Sequence, residues 1–471
     1  MRLPVLPESS RLARWGLILL SFLLAVAAGM ASRVLSTPLA PLAVGGLVIA
    51  ATFGLIMLQH PLPALYLLVF LFWLPDARAL NPVVLRPPLD IYDLALLLAL
   101  LAWGLQLVGK RTSIVWDPTM LLIGALMIWG TISLFWADDA VMGRKALVQW
   151  TISFLALFLT VNEIDSLAKL DNVMKAIALA GWTLTIGGIG TILVTHYTIG
   201  DRLQVWEINE NMYGLYLITC LPGVLWLVMR ASGSRKALNM ILSLIFVAAS
   251  MVLILLSGSR GTSVSLVIIF VAFWLWKPTR PWALIGVICV VVAVISAPFV
   301  FLTILNRLSD TTQADLGGRP ILWEASMILI RDNPWIGKGA GNGPTALIPY
   351  IRSISDVYGY RTEIPSHNAI LEVGIDFGLP GIVLYLAIFV GAVGQFLNRI
   401  IQLYRAGRYD LYPYFALVSC TFIGYISSWI KGGGLSNHSS YFLFLALLLI
   451  PSRLKFDHPC EQRVQQSTAC E

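Results

Sequence analysis

Apolar runs of about 20 residues recur along nearly the whole chain, each cut by a short polar cluster, and that pattern has no place in a soluble fold. Reading the runs against the breaks gives fourteen candidate spans, near residues 15–32, 39–58, 62–75, 92–109, 119–136, 146–162, 173–194, 212–229, 238–256, 262–277, 281–304, 379–397, 412–430 and 438–451. The third and the last are short, which sets the expected number at about 12–14. Composition agrees, with 58% hydrophobic and only 12% charged residues, against about 25% charged in a soluble domain. Disorder, collagen-like repeats and disulfide-stapled secreted folds are excluded by the same figures. The first span, preceded by Arg11 and Arg14, could pass for a signal peptide, but the chain after it goes on spanning. The expected fold is all-α, a polytopic membrane helix bundle.

Charge sets the orientation. With the N-terminus cytoplasmic, the inside segments hold eighteen of the 32 Lys and Arg, and six more lie in one long loop, residues 305–378, where the positive-inside rule counts for little. Both termini then face the cytoplasm and the loop faces the periplasm. The chain divides into an N-terminal transmembrane bundle (1–304), the large loop (305–378), C-terminal transmembrane helices (379–451) and a polar cytoplasmic tail (452–471). The net charge of +7 fits this asymmetry and an anionic lipid or substrate, so no nucleic acid is needed to explain it. Almost no acidic residue lies mid-span, so a buried carboxylate relay of the pump type is absent from the pattern. Asp138, Asp139, Asp201, Glu207, Glu210, Asp310, Asp315, Asp332, Asp356 and Glu363 all fall on the outer side. Of the five cysteines, Cys220, Cys289 and Cys420 sit in apolar runs and Cys460 and Cys470 in the tail; no spacing suits zinc, and no metal site is expected.

A loop of more than seventy residues is too long for a connector. Gly318-Arg319-Pro320 opens a helix, with Pro at a favoured first-turn position, and Asp332-Asn333-Pro334 stops it. This helix is expected to lie along the membrane surface. Trp335 to Pro344 comes next, with Gly337, Gly339, Gly341 and Gly343 around Lys338. Successive N–H groups there can form an anion nest, although the ending is not that of a P-loop; a flexible turn is the competing reading. Ser366 is a plausible N-cap for a second helix that Gly378 and Pro380 end. His367 would then sit in the first turn, where the positive helix end disfavours an imidazolium and leaves the neutral imidazole a general base requires. Glu372, five positions on, lies about 140° around that helix and does not orient His367 unless the turn is irregular.

Arg260 stands in Ser257-Gly258-Ser259-Arg260-Gly261-Thr262, between two apolar spans at the outer boundary. A charge there costs several kcal/mol unless it snorkels or meets an anion. Arg202, ahead of Trp206 and Glu207, and Arg319 fall on the same side. Three guanidinium groups suit a diphosphate, which they bind bidentately while staying charged. Lys338, Asn368 and Glu207 are secondary candidates for the same site. The loops carry no DxD-like metal motif, so the arginines would take the place of a divalent cation.

The order of these motifs resembles the O-antigen ligase and polymerase superfamily of bacterial envelope enzymes. The residues that carry the likeness are Ser257 to Gly261, Gly318-Arg319 with Trp323, Asn333-Pro334-Trp335 through Gly339, Ser366-His367-Asn368, and Gly374 to Gly381. The resemblance implies a multi-pass protein of the bacterial inner membrane that acts as a metal-independent glycosyltransferase without a cofactor. Its donor would be a glycan on undecaprenyl pyrophosphate, taken at the periplasmic face. A ligase passes the glycan to a sugar hydroxyl of the lipid A core; a repeat-unit polymerase for O-antigen, capsule or exopolysaccharide passes it to a second lipid-linked glycan. By this likeness Arg260 and Arg319 bind the pyrophosphate and His367 activates the acceptor hydroxyl, with Arg202 assigned from a looser motif. A lipid-glycan flippase would instead show internal repeats and a mid-membrane charge path, and the sequence has neither.

Overall fold

Helix starts in this chain are set by short polar side chains placed just ahead of apolar runs. In the computed structural model, which describes residues 61–74, 91–109, 113–195, 201–206, 208–296, 319–355, 363–409, 411–429 and 439–454, Asp117 accepts from the Thr119 N–H at 2.8 Å and Pro118 is the first helical residue. Asp139 does the same for Val141 and Met142, and these donors hold its carboxyl below the usual carboxylate range. Asn209 and Ser259 cap two further helices.

The described helices are α1 (Pro61–Phe72), α2 (Ile91–Val108), α3 (Pro118–Ile132), α4 (Ala140–Glu163), α5 (Leu167–Val194), α6 (Glu210–Arg230), α7 (Ser234–Leu256), α8 (Arg260–Leu275), α9 (Arg280–Ser296), α10 (Arg319–Asp332), α11 (Gly343–Ala346), α12 (Ile348–Ile354), α13 (Ala369–Arg405), α14 (Tyr412–Trp429) and α15 (Ser439–Arg453). Among the described residues there is no strand, only an isolated bridge between Val205 and Ile208. The all-α polytopic fold read from the sequence is what the structure shows. Six of these helices are long and apolar enough to cross a membrane: α3 with its 3-10 extension to Phe135, α4, α5, α6, α7 and α13. The runs at 15–32 and 39–58 lie outside the described residues. The chain falls into two compact units, residues 1–65 with 94–113, and residues 66–93 with 114–471; the site belongs to the second.

Within that second unit, short connections reverse the chain between consecutive helices. Residues 164–166, 231–233, 276–279 and 406–409 therefore lie at one end, and 133–139, 201–206 and 257–259 at the other. The first, the basic end, gathers Arg230, Arg235, Lys236, Lys277, Arg280, Arg405 and Arg408. The second is the site end. Aromatic residues mark both ends, with Trp276 against Tyr412 at one and Trp129 against Trp136 at the other, as headgroup-level belts do.

The central element is α6, buried without interruption from Tyr213 to Trp226. A helix apolar on every face belongs inside. At Gly223 the two backbones come close: a Cβ there would meet the Met174 carbonyl and Ala178 nitrogen of α5 at 2.7 Å, the small-residue contact typical of membrane helices. At the rim, α8 and α9 instead expose Val267, Val271, Trp274, Leu284 and Val291, apolar surface that only lipid covers at no cost.

Candidate active site

The site end carries two bonded clusters. The first is built where α7 hands over to α8. Gly258 takes a positive φ of 61°, a turn that suits glycine, and Ser259 Oγ then accepts from the Thr262 N–H at 3.2 Å to start α8. Thr262 Oγ1 donates to the Asn211 carbonyl at 3.1 Å, joining α8 to the start of α6. Arg202 completes the knot. Its Nε donates to the Ser257 carbonyl at 3.1 Å, Nη2 to Asn211 Oδ1 at 2.9 Å, and Nη1 pairs with Glu210 at 3.2 Å. Burial presses the Arg202 pKa down and Glu210 works against that. Three donors of Arg202 are thus spent on the protein, so it braces the turn that carries Arg260. Arg260 itself is the first residue of α8, half-buried. Arg319 occupies the corresponding position at the start of α10, also half-buried.

The second cluster surrounds His367. The next helix is capped by Asn368, whose Oδ1 accepts from the Ile370 and Leu371 N–H groups at 3.0 and 3.2 Å. Ser366, expected to be the cap, instead closes the turn before it: its Oγ donates to the Asn368 carbonyl at 3.0 Å and accepts from the Asn368 N–H at 3.2 Å. His367 therefore stands ahead of the helix rather than in its first turn, in the left-handed region with φ 55°. Few non-glycine residues sit there without a compensating partner. The partner is Glu372. In the irregular turn its carboxylate lies against the backbone of His367 and the backbone and hydroxyl of Ser366. Glu372 is 9% exposed, and its Oε1 has no hydrogen-bond partner.

The glycine-rich loop lies between these helices and uses every one of its own N–H groups from 337 to 343. Gly337 donates to the Asn333 carbonyl, Lys338 to Ile375 and Gly339 to Asp376, at 3.2, 2.7 and 2.9 Å. Ala340 donates to Ser133 Oγ at 3.0 Å. Gly341 and Gly343 each donate at 2.9 Å to the two carboxylate oxygens of Asp376, and the Asn342 N–H turns back to Gly339. An anion nest has formed, as the sequence allowed, but its anion is the protein's own buried Asp376. The flexible-turn alternative fails as well. Asn342 also fixes the start of α4, accepting from the Asp139 N–H at 2.7 Å, and Trp136 Nε1 donates to the Ile336 carbonyl at 3.0 Å. The loop seats on residues 369–377, which Gly378 (φ 67°, ψ −165°) separates from the long remainder of α13.

Residues 223–386, from within α6 to within α13, match the family model described as O-antigen ligase. Over that segment, about a third of the chain, this protein is similar to the O-antigen ligase family. That likeness and the long apolar helices support a multi-pass membrane protein of O-antigen ligase or polymerase type. No curated protein matches the chain.

The O-antigen ligase segment contains Arg260, Arg319, Lys338, His367 and Asn368, along with Glu372 and Asp376; Arg202 lies upstream of it. Glu207 lies outside the described residues. Lys338 is half-buried and its backbone is docked on Ile375, while Asn368 is a capping residue. Sequence reasoning gave Asp376 no role. It sits 33 and 35 positions from its two donors, and no local pattern relates them.

Proposed function

We propose that this protein is an O-antigen ligase-type glycosyltransferase, which moves a glycan from undecaprenyl pyrophosphate to a sugar hydroxyl of the lipid A core. The observation that carries the reading is His367, held in a left-handed turn against the buried Glu372, at the same end of the second unit as Arg260. His367 takes the proton of the acceptor hydroxyl as that oxygen attacks the anomeric carbon. The bond from that carbon to the pyrophosphate oxygen breaks, and Arg260 and Arg319 hold the departing diphosphate. One guanidinium–phosphate pair at 4 Å contributes about 4 kcal/mol of attraction at an effective dielectric of ~20. Glu372 sets the backbone of His367, and Arg202 braces Arg260. With the basic end cytoplasmic by the positive-inside rule, the site end faces the periplasm of a bacterial inner membrane and both termini face the cytoplasm.

The test is a gel of envelope glycans from a deletion strain complemented with wild type, His367→Ala or Arg260→Lys. Wild type should restore polymer-bearing core. His367→Ala should leave long polymer on the carrier lipid beside bare core, with a loss of about 10²–10⁴ in rate if it acts as base. Arg260→Lys should be poorly tolerated, because a lysine cannot replace bidentate phosphate contact. Core carrying a single repeat in the deletion strain would mean polymerase instead, and full activity of the histidine variant would remove the general base.

A further inference from the structure

A cavity of about 730 Å³ runs between α8 and α9, lined by Ser263, Val267, Phe270 and Trp274 on α8 and by Val287 and Val291 on α9. Its volume lies within the ordinary range for ligand sites, about 300–1,000 Å³. The α8 residues recur at helical spacing and so form one face. Ser263, the polar member of these six, stands three positions after Arg260, one helical turn or about 4.5 Å along the axis. From Ser263 to Trp274 the face runs eleven residues, roughly 16 Å, about half of the ~30 Å hydrocarbon core. Gly286 lets the Phe270 ring lie against α9: a Cβ there would meet that ring at 2.3 Å. Val267, Val271 and Trp274 are more than half exposed, so the groove opens sideways to lipid. Valine walls are stiff at χ1 and give it a fixed width.

We propose that this groove is the seat of the donor's polyisoprenoid tail, a reading that rests on the proposed transferase. Complementarity along one helix supports it. A cation and a helix start, both favourable to a phosphate, stand at the top, and an apolar slot runs down from them. A phosphate held at Arg260 would place the first isoprene units beside Ser263 and lay the next ones along Val267, Phe270 and Trp274. The slot takes only the first few isoprene units, those nearest the phosphate, and leaves the rest of the tail in the bilayer. A free sugar nucleotide has no part that such a slot would bind.

Two experiments test it on the full-length protein in liposomes. The first compares one glycan on a long polyprenyl pyrophosphate and on a two-isoprene pyrophosphate, with Val267→Trp and, separately, Val287→Phe filling the slot. Each should raise KM for the long-tailed donor at least tenfold relative to the short-tailed one; equal changes for both donors would overturn the proposal. Absence of transfer by wild type with either donor would count against the transferase reading. The second experiment then still decides the groove. A benzophenone-bearing polyprenyl phosphate without glycan should cross-link to α8 and α9 and be competed by undecaprenyl phosphate but not by phosphatidylglycerol. Equal competition by phosphatidylglycerol, or cross-linking elsewhere, would mean that the slot holds only bulk lipid.

Discussion

Replacing Asp376 with Asn tests the claim that this carboxylate is the anion of the glycine loop. The wild-type carboxylate accepts from Gly341 and Gly343 at 2.9 Å each while buried. Asparagine keeps one acceptor oxygen but turns an NH2 toward the other amide. One charge-assisted bond becomes neutral, costing about 1 kcal/mol, and one buried N–H loses its partner, costing about 1–3 kcal/mol more. A central value of ~3 kcal/mol corresponds to slightly more than two decades in the open population of the loop. Hydrogen–deuterium exchange reads this directly. Peptides covering residues 337–343 should exchange roughly 100-fold faster in Asp376→Asn, while peptides from the buried stretch of α6 keep their wild-type rates. Unchanged loop exchange would refute the claim, since the nest would then not depend on the carboxylate. Parallel acceleration of α6 would refute it equally, because the loss would then be global and say nothing about the loop.

Arg202→Gln separates bracing from phosphate binding. Its partly exposed pair with Glu210 contributes no more than about 1 kcal/mol, and its bonds to the Ser257 carbonyl and Asn211 about 1 kcal/mol each. Donor KM should stay within threefold, and a tenfold rise would put Arg202 on the pyrophosphate. Gly339→Ala meets both a φ of 87° and Ala137 Cβ at 2.6 Å; a loss of about 1–3 kcal/mol, read as a lower melting temperature in detergent, is expected. Glu372→Ala removes the group that lies against the backbone of His367 and Ser366, so kcat should fall at least tenfold with KM nearly constant. A parallel loss of folded protein would reduce Glu372 to a packing residue.

The parts of this molecule written in short stretches of chain were legible. Pro320 and Pro334 bracket α10 because proline suits a first turn and cannot extend a helix beyond its last one, and the helix runs Arg319–Asp332. Gly378 broke the next helix where expected, since glycine alone takes that conformation without strain. The cap before α13 was misread because Ser366 and Asn368 are both good capping types. The choice between them is made by the Ser366 hydroxyl, which is occupied with the backbone of Asn368. The bracing contacts of Arg202 were not legible, because its partner carbonyl lies 55 residues away on Ser257. The glycine loop carried an ambiguity of the same origin. Glycine spacing predicts a nest, but only the fold says whose anion fills it.

That occupancy bears on how the site can bind a diphosphate. With the N–H groups of residues 337–343 all engaged inside the protein, that loop has no backbone donor left for phosphate. Side chains and helix starts must supply the positive potential. Arg260 and Arg319 open α8 and α10, and His367 immediately precedes the cap of the helix broken at Gly378. Each helix start carries roughly half a positive charge, so in the proposed transferase three starts and two guanidinium groups would together offer a diphosphate about +3.5. On that reading the arginines would take the part of a divalent cation, and more than half of the positive charge would reside in two side chains. A lysine at Arg260 keeps the charge and the helix start and removes only the fork. The severity of Arg260→Lys therefore measures bidentate geometry apart from charge, and a large loss there with a small one for Arg202→Gln is the pattern this division of labour requires.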